Sequence, residues 1–192
     1  MNPIHPCLIA DTYSKGGAAR AMQLLHRGLQ EAGTQPSLLL RYPSQAGGGD
    51  SFRVKSDLRT RLGRLWRRRA LRKKYTPFDA VMKTRLELLS PSESIFVHLH
   101  EQIPTNSVVN LHWVAGCIDV PTFFKSIRTA LPVVWTLHDL WPMSGGCHYA
   151  AGCEAFTQNC GSCPYLETDD SDDLTHQEWE GKRSGYAALG DE

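Results

Sequence analysis

The chain has 192 residues, 41% of them hydrophobic and 21% charged, with a formal net charge of +1. That length supports one good hydrophobic core, and no segment approaches the 18 or so apolar residues that would cross a bilayer. The near-zero net charge hides a split. Eleven of the 21 Lys and Arg lie between Arg53 and Lys74, opposed only by Asp57, and nine of the 20 Asp and Glu lie between Glu167 and Glu192. Each block can have its own partner. The start, Met-Asn-Pro-Ile-His-Pro, has no charged n-region and reads as no signal peptide. The expectation is a cytoplasmic protein with its cysteines reduced.

In chain order, Ile4-His-Pro-Cys-Leu-Ile-Ala10 reads as a buried parallel strand. After the loop Asp11–Gly17, apolar residues recur at Ala18, Ala21, Met22, Leu25, Leu29 and Ala32, which makes one helical face. Gly33 stops that helix, and Ser37-Leu-Leu-Leu40 reads as a second strand. Strand, glycine loop, helix and strand make a βαβ unit. Tyr42–Asp50 reads as a flexible connection. The basic stretch 53–74 follows as an amphipathic helix, with Leu58, Leu62, Leu65 and Trp66 on one stripe. Ala80–Leu89 reads as helical, ended by Pro91.

Ser107–Trp113 reads as a strand with a polar end. Asp119 or a neighbour caps a helix that starts at Pro121 and runs through Phe123, Phe124 and Ile127. Pro132-Val-Val-Trp-Thr-Leu137 reads as a strand ending in His138-Asp139. Beyond it come a cysteine-rich, glycine-rich loop over 145–164 and an acidic tail, 167–192, with little periodicity and expected to be poorly ordered. Alternating strands and helices predict an α/β, Rossmann-like parallel sheet with helices on both faces, occupying residues 1–166.

Ligands of open α/β sheets bind beyond the carboxyl ends of the strands, and three polar clusters fall at such ends. Lys15-Gly-Gly-Ala-Ala-Arg20 offers close backbone approach and a helix N-terminus suited to negative charge, or simply a tight turn. His112 in Asn110-Leu-His-Trp113 is a ligand-binding residue or a hydrogen-bonded structural one. In Trp135-Thr-Leu-His-Asp-Leu-Trp-Pro142, His138 can donate to a substrate hydroxyl, while Asp139 either orients His138 or caps the next turn.

Cys147, Cys153, Cys160 and Cys163 form C-x5-C-x6-C-x2-C. Four thiolates so spaced can surround one structural Zn²⁺, with His148 an alternative ligand; free thiols, a redox pair or disulfides are the other readings. Cys7 and Cys117 read as core residues. The basic stripe 53–74 is a solvated face or a binding site for an anionic membrane surface. No stacking platform or base-reading motif accompanies its charge, so nucleic acid is not expected.

Taken in order, Gly16-Gly-Ala-Ala-Arg20, Asn110-Leu-His-Trp113, Thr136-Leu-His-Asp-Leu-Trp-Pro142 and Gly145-Gly-Cys-His-Tyr149 resemble the N-terminal domain of family 4 glycosyltransferases. More narrowly, they resemble the bacterial branch that builds colanic-acid-type and other surface polysaccharides. The resemblance covers roughly residues 4–41 and 107–175. It implies the N-terminal, acceptor-side half of a GT-B fold, whose C-terminal domain holds the nucleotide sugar. It also implies retaining transfer without a catalytic metal or other catalytic cofactor, to a glycan or lipid-linked acceptor. Gly16 and Gly17 would lie against the donor, Arg20, His112 and Asp139 would line the substrate site, and His138 would steady charge at the reacting centre. No glutamate pair of a donor domain can be assigned here, so the expectation is a truncated chain, inactive alone. The rival expectation is a non-catalytic, zinc-stabilised interaction module whose basic helix binds anionic partners.

Overall fold

The computed structural model describes residues 5–42, 51–53, 58–75, 77, 102–115, 117–127 and 131–187. The strands are β1 (His5–Thr12), β2 (Ser37–Tyr42), β3 (Ser51–Arg53), β4 (Ser107–Leu111) and β5 (Val133–Trp135). They form one sheet in the order β3-β2-β1-β4-β5 with every pairing parallel. This is the expected Rossmann-like arrangement. The central strand β1 pairs with β2 on one side and β4 on the other, so the chain reverses direction across the sheet between β1 and β4.

Alternation along β1 explains the two layers. Cys7 and Ile9 face one core, shared with Val109 and Leu111 of β4 and with helix α3 (Val120–Ile127). Leu8 and Ala10 face the other, shared with Leu38, Leu40 and Met22 of helix α1 (Gly16–Glu31). A strand buried on both faces must be apolar throughout, and residues 7–10 are all buried.

The termini of both helices follow from single residues. Helix α1 ends where Gly33 takes φ +80°, and the Gly33 and Thr34 N–H groups return to Gln30 O and Leu29 O at 3.0 Å each. That is a Schellman closure, which needs a residue able to adopt a positive φ. Helix α3 begins at Val120, one residue before the expected start, and Asp119 Oδ2 accepts the Thr122 N–H at 3.1 Å as its N-cap. The basic helix, α2, spans Leu58–Lys74. Arg53, which the sequence pattern assigns to it, belongs instead to the short strand β3, a strand the pattern does not reveal. The helix expected over 80–89 lies outside the described residues.

The acidic tail departs from expectation. Residues 174–187 form helix α4 (Leu174–Ala187), packed on α3. Its start is fixed by Asp173, fully buried, whose Oδ1 accepts the Thr175 and His176 N–H groups at 2.7 and 3.1 Å. Gly185 lets α4 approach closely, since a Cβ there would lie 3.0 Å from Pro121 Cα. Lys182, 4% exposed, donates to Trp141 O at 2.7 Å and Ser144 O at 2.8 Å, with its ammonium 4.0 Å from the Trp141 ring centroid. A segment polar in composition is therefore ordered by a cap, a close glycine contact and a lysine that satisfies two carbonyls.

Candidate functional site

The reversal between β1 and β4 opens a crevice at the strands' carboxyl ends, where open α/β sheets bind ligands. A cleft of about 390 Å³ lies there, lined by Asp11 and Thr12 of β1, Lys15, Gly16 and Gly17, and Trp113 beyond β4. Gly16 takes φ +86°, so the turn from β1 into α1 needs its missing side chain. Lys15, the N-cap residue, makes no side-chain cap, and the first turn of α1 carries no acidic residue. The amide groups there favour an anion. Arg20 is exposed, one turn further along α1 and outside the cleft lining. Asp11 is paired to Arg41 at 3.3 Å.

Beside this cleft, the ends of β4 and β5 bring the two candidate histidines together. His112 Nδ1 and His138 Nε2 are 2.9 Å apart, and the rings stack with centroids at 5.2 Å and planes 24° apart. His112 is 2% exposed. Burial, reinforced by the neighbouring His138, pushes its pKa down to about 4. Burial also lowers His138, against an opposing pull from Asp139. Both rings are thus neutral near pH 7, and one proton lies between them.

His112 Nε2 is buried without a hydrogen-bond partner. A buried orphan N–H is rarer than a buried orphan lone pair. That favours the tautomer in which His112 Nδ1–H donates to His138 Nε2. His138 then keeps its own Nδ1–H to donate outside the pair. In this tautomer the contact with His112 fixes the orientation of the half-buried His138 ring; neither histidine is among the residues that line the cleft. The contact is compatible with either reading of His112, as a structural histidine or as a residue of a ligand site.

Asp139 takes the capping alternative. Its Oδ1 accepts the Trp141 N–H at 2.9 Å, and its Oδ2 receives Trp113 Nε1–H and His148 Nδ1–H, each at 2.9 Å. Burial opposes its charge, but these bonds outweigh burial and hold its pKa below the ordinary carboxylate value. Asp139 therefore ties the ends of β4 and β5 to the cysteine loop. Trp135 Nε1–H closes the same corner by donating to His112 O at 3.2 Å, and Asn110 faces Thr136 at 3.2 Å.

Over 117 residues the chain is 27% identical to a protein of Escherichia coli (strain K12) named as a candidate glycosyl transferase of colanic acid biosynthesis, WcaC. The likeness is to a glycosyl transferase. The matched stretch covers 58% of this chain but 26% of that protein, so the chain spans about a quarter of its relative's length. No family model matches the chain, and no solved structure matches it.

All six cysteines are free thiols in this structure. Cys147, Cys153, Cys160 and Cys163 line one small cavity. Burial, reinforced by the neighbouring cysteines, pushes Cys147 up to about 12 and raises Cys160, and burial with the nearby Asp173 raises Cys163. Among the described residues, no three His, Cys, Asp or Glu side chains stand at separations that hold a metal ion as they are. His148, the alternative ligand, spends its Nδ1 on Asp139. Cys7 and Cys117 are fully buried core residues, as expected.

Lys182 and Asp173 are residues that sequence reasoning missed. Asp173 Oδ2 accepts the Cys163 N–H at 2.8 Å while its Oδ1 caps α4, so one carboxylate joins the loop to the helix. The signal available for it was an Asp followed by a stretch of helix formers. No sequence signal identifies Lys182, whose partners are backbone carbonyls 38 and 41 residues away.

Proposed function

We propose that this chain forms the acceptor-side, Rossmann-like half of a retaining GT-B glycosyltransferase acting in surface polysaccharide assembly. A nucleotide sugar is its donor, and a glycan or lipid-linked molecule its acceptor. The observation that carries the reading is that the Gly16-Gly17 turn after β1 and the His112–His138 pair after β4 and β5 stand at the same, carboxyl edge of the parallel sheet. The similarity to a glycosyl transferase over 117 residues supports it. In this reading the amide-rich turn at Gly16 and Gly17 faces the donor's phosphates or sugar. The neutral His138 donates to a hydroxyl of the transferred sugar and to charge developing at the reacting centre. His112 acts as a positioning residue that holds the His138 tautomer.

The donor-binding half belongs to a second domain in this reading. Helix α2 supplies the attachment to the acceptor's surroundings. Its nine Lys and Arg, its lack of acidic residues and its exposed Leu58, Leu62, Leu65 and Trp66 suit the face of an anionic bilayer. Among the described residues no helix is long and apolar enough to cross a membrane; the contact in this reading is made by α2 at the surface of the inner face.

The test joins the chain to a nucleotide-sugar-binding domain and measures transfer from a panel of nucleotide sugars to a polyprenyl-linked acceptor. Turnover is expected with that domain and none from the 192-residue chain alone. His138→Ala in the joined protein should lower turnover by a factor on the order of 10² to 10³, as loss of one charge-stabilising donor does. His112→Ala should lower it too, while His112→Asn, which can still meet His138 at Nδ1's position, should recover part of the loss. Normal turnover in His138→Ala, or transfer by the isolated chain, would overturn the assignment.

A further inference from the structure

The cysteine loop carries chemistry that sugar transfer does not use. Cys147, Cys153, Cys160 and Cys163 come from four points of a loop with little regular structure, yet all four line one cavity of about 20 Å³. That is room for one water-sized body. A water would be poorly held, because the rest of the lining is mostly carbon: Ala150, Phe156 and Pro164 among it. A water needs two to four polar partners. A single soft cation needs sulfur.

The backbone is shaped to present those sulfurs. Between Cys160 and Cys163 the chain turns through Gly161 at φ +141° and Ser162 at φ +44°, which folds both thiols toward the same space. Gly161 has no alternative, since a Cβ would sit 2.2 Å from Ser171 O. The turn is held from outside by Ser162 N–H to Asp170 O at 2.9 Å and by Ser162 Oγ–H to Asp169 O at 3.1 Å.

An amide group also points at one of the sulfurs. Gly145 N–H donates to Cys160 Sγ at 3.2 Å, and the Leu166 N–H holds the turn after Cys163 through the Cys163 carbonyl at 3.0 Å. Gly145 is itself required, because a Cβ would meet Thr175 O at 2.2 Å. Amides bonded to ligand sulfurs are the outer support that metal thiolates use. The Lys182 and Asp173 bonds described above brace the two sides of the loop.

We propose that Cys147, Cys153, Cys160 and Cys163 close around a single Zn²⁺ in a tetrahedral, structural site. As they stand, no three of these side chains are placed to hold a metal ion, so binding requires the four thiols to draw together across the cavity they line. Tetrathiolate sets suit zinc or iron–sulfur clusters, and a space for one small sphere selects a single ion. The site would shape the rim, because His148, next to Cys147, holds Asp139 and accepts the Leu140 N–H at its carbonyl, 3.0 Å away.

Cobalt(II) reports the ligands directly and does not depend on enzymatic activity. Titration of the reduced 192-residue chain with Co²⁺ should give sulfur-to-cobalt charge-transfer and tetrahedral ligand-field bands that saturate at about one equivalent. Zn²⁺ should displace them, and chelation should lower the melting temperature. Loss of an outer partner alone costs such sites about 10- to 100-fold in affinity. Cys153→Ser should therefore weaken Co²⁺ binding at least that much, while Cys7→Ala should leave the bands intact. Should Cys153→Ser fail to fold, the wild-type spectrum still decides. No thiolate bands with melting indifferent to metal, or a brown protein containing iron and sulfide, would overturn the proposal.

Discussion

Helices α2 and α3 both carry an apolar stripe, and the protein treats them in opposite ways. In α3, Val120, Phe123, Phe124 and Ile127 are each at most 4% exposed, sealed between the sheet and α4. In α2, Leu58, Leu65 and Trp66 are 65% exposed or more. The C-terminal end of α2 is anchored: Leu71 and Tyr75 pack with Leu166 and Leu174, and Arg67 pairs with Glu178 at 2.9 Å. Its N-terminal stretch offers carbon to solvent among arginines. Periodicity thus reports that a helix has a face, and the surrounding charge reports what kind of surface that face meets. The α3 stripe is followed by glycine and aromatic residues of α4 that cover it; the α2 stripe lies in a field of positive charge that no protein core would accept.

The largest effect should come from cutting the covered stripe. Phe124 stacks edge-on with Phe123 and Tyr186 and lies 6.0 Å from the Trp135 ring. Phe124→Ala should cost about 3–5 kcal/mol, the range for buried aromatic truncation, read as a shift in the denaturation midpoint with unchanged m. A loss below about 1 kcal/mol would show that α3 is no more packed than α2 and dissolve the contrast.

Acid should separate the two regions next. His112 binds its proton at about 4 in the folded state against 6.5 as the ordinary value. The unfolded chain therefore holds more protons between those pH values, and stability falls as pH drops through that window. By pH 4 the loss from His112 is about 3 kcal/mol. Equilibrium denaturation of His112→Asn should show a correspondingly shallower slope from pH 6.5 to 4. The helicity of α2 should not follow this titration, since its charges are Arg and Lys. A third, smaller effect concerns the cover itself. Lys182→Met leaves Trp141 O and Ser144 O without their buried donor and should cost about 2 kcal/mol, whereas Arg183→Met, on the exposed side of α4, should cost under about 0.5 kcal/mol.

Much of the frame was legible because it depends on local pattern. The apolar run at 7–10, the glycine at 33 and the Asp119 cap each act within a few residues, and each appears where the pattern puts it. What depends on distant partners was not. Strand β3 is three residues long and is defined by its neighbour Leu38–Leu40, not by its own composition. Helix α4 reads as an acidic tail because its contacts are made by a glycine, a lysine and a tyrosine, residues that a hydrophobic period does not count. Sequence names His112 and His138 as candidates but not their 2.9 Å contact, because strands 26 residues apart meet only once the sheet is formed. For Asp139 the sequence offers two alternatives; the local Trp141 N–H makes it a cap, and two hydrogen bonds from other segments, Trp113 and His148, hold it there.

The smallest effect on stability should accompany a clear effect on binding. Leu65 and Trp66 touch little in the folded chain, so Trp66→Ala and Leu65→Ala should each change stability by less than about 0.5 kcal/mol. If α2 meets an anionic bilayer, the same residues enter the headgroup boundary, where buried carbon contributes about 25 cal/mol per Å². Arginines near such a surface add about 1 kcal/mol each. Vesicles containing phosphatidylglycerol should then sediment with the protein at low salt and release it as screening rises. Trp66→Ala should weaken that partition several-fold, and replacing Arg67, Arg68 and Arg69 by Gln should weaken it further. Neutral phosphatidylcholine vesicles supply the control. Equal binding to both lipids would mean that charge plays no part, and no binding to either would leave the exposed stripe of α2 facing a partner other than a membrane. A large loss of stability in Trp66→Ala would count against the contrast itself, because it would show that the stripe is covered within the protein.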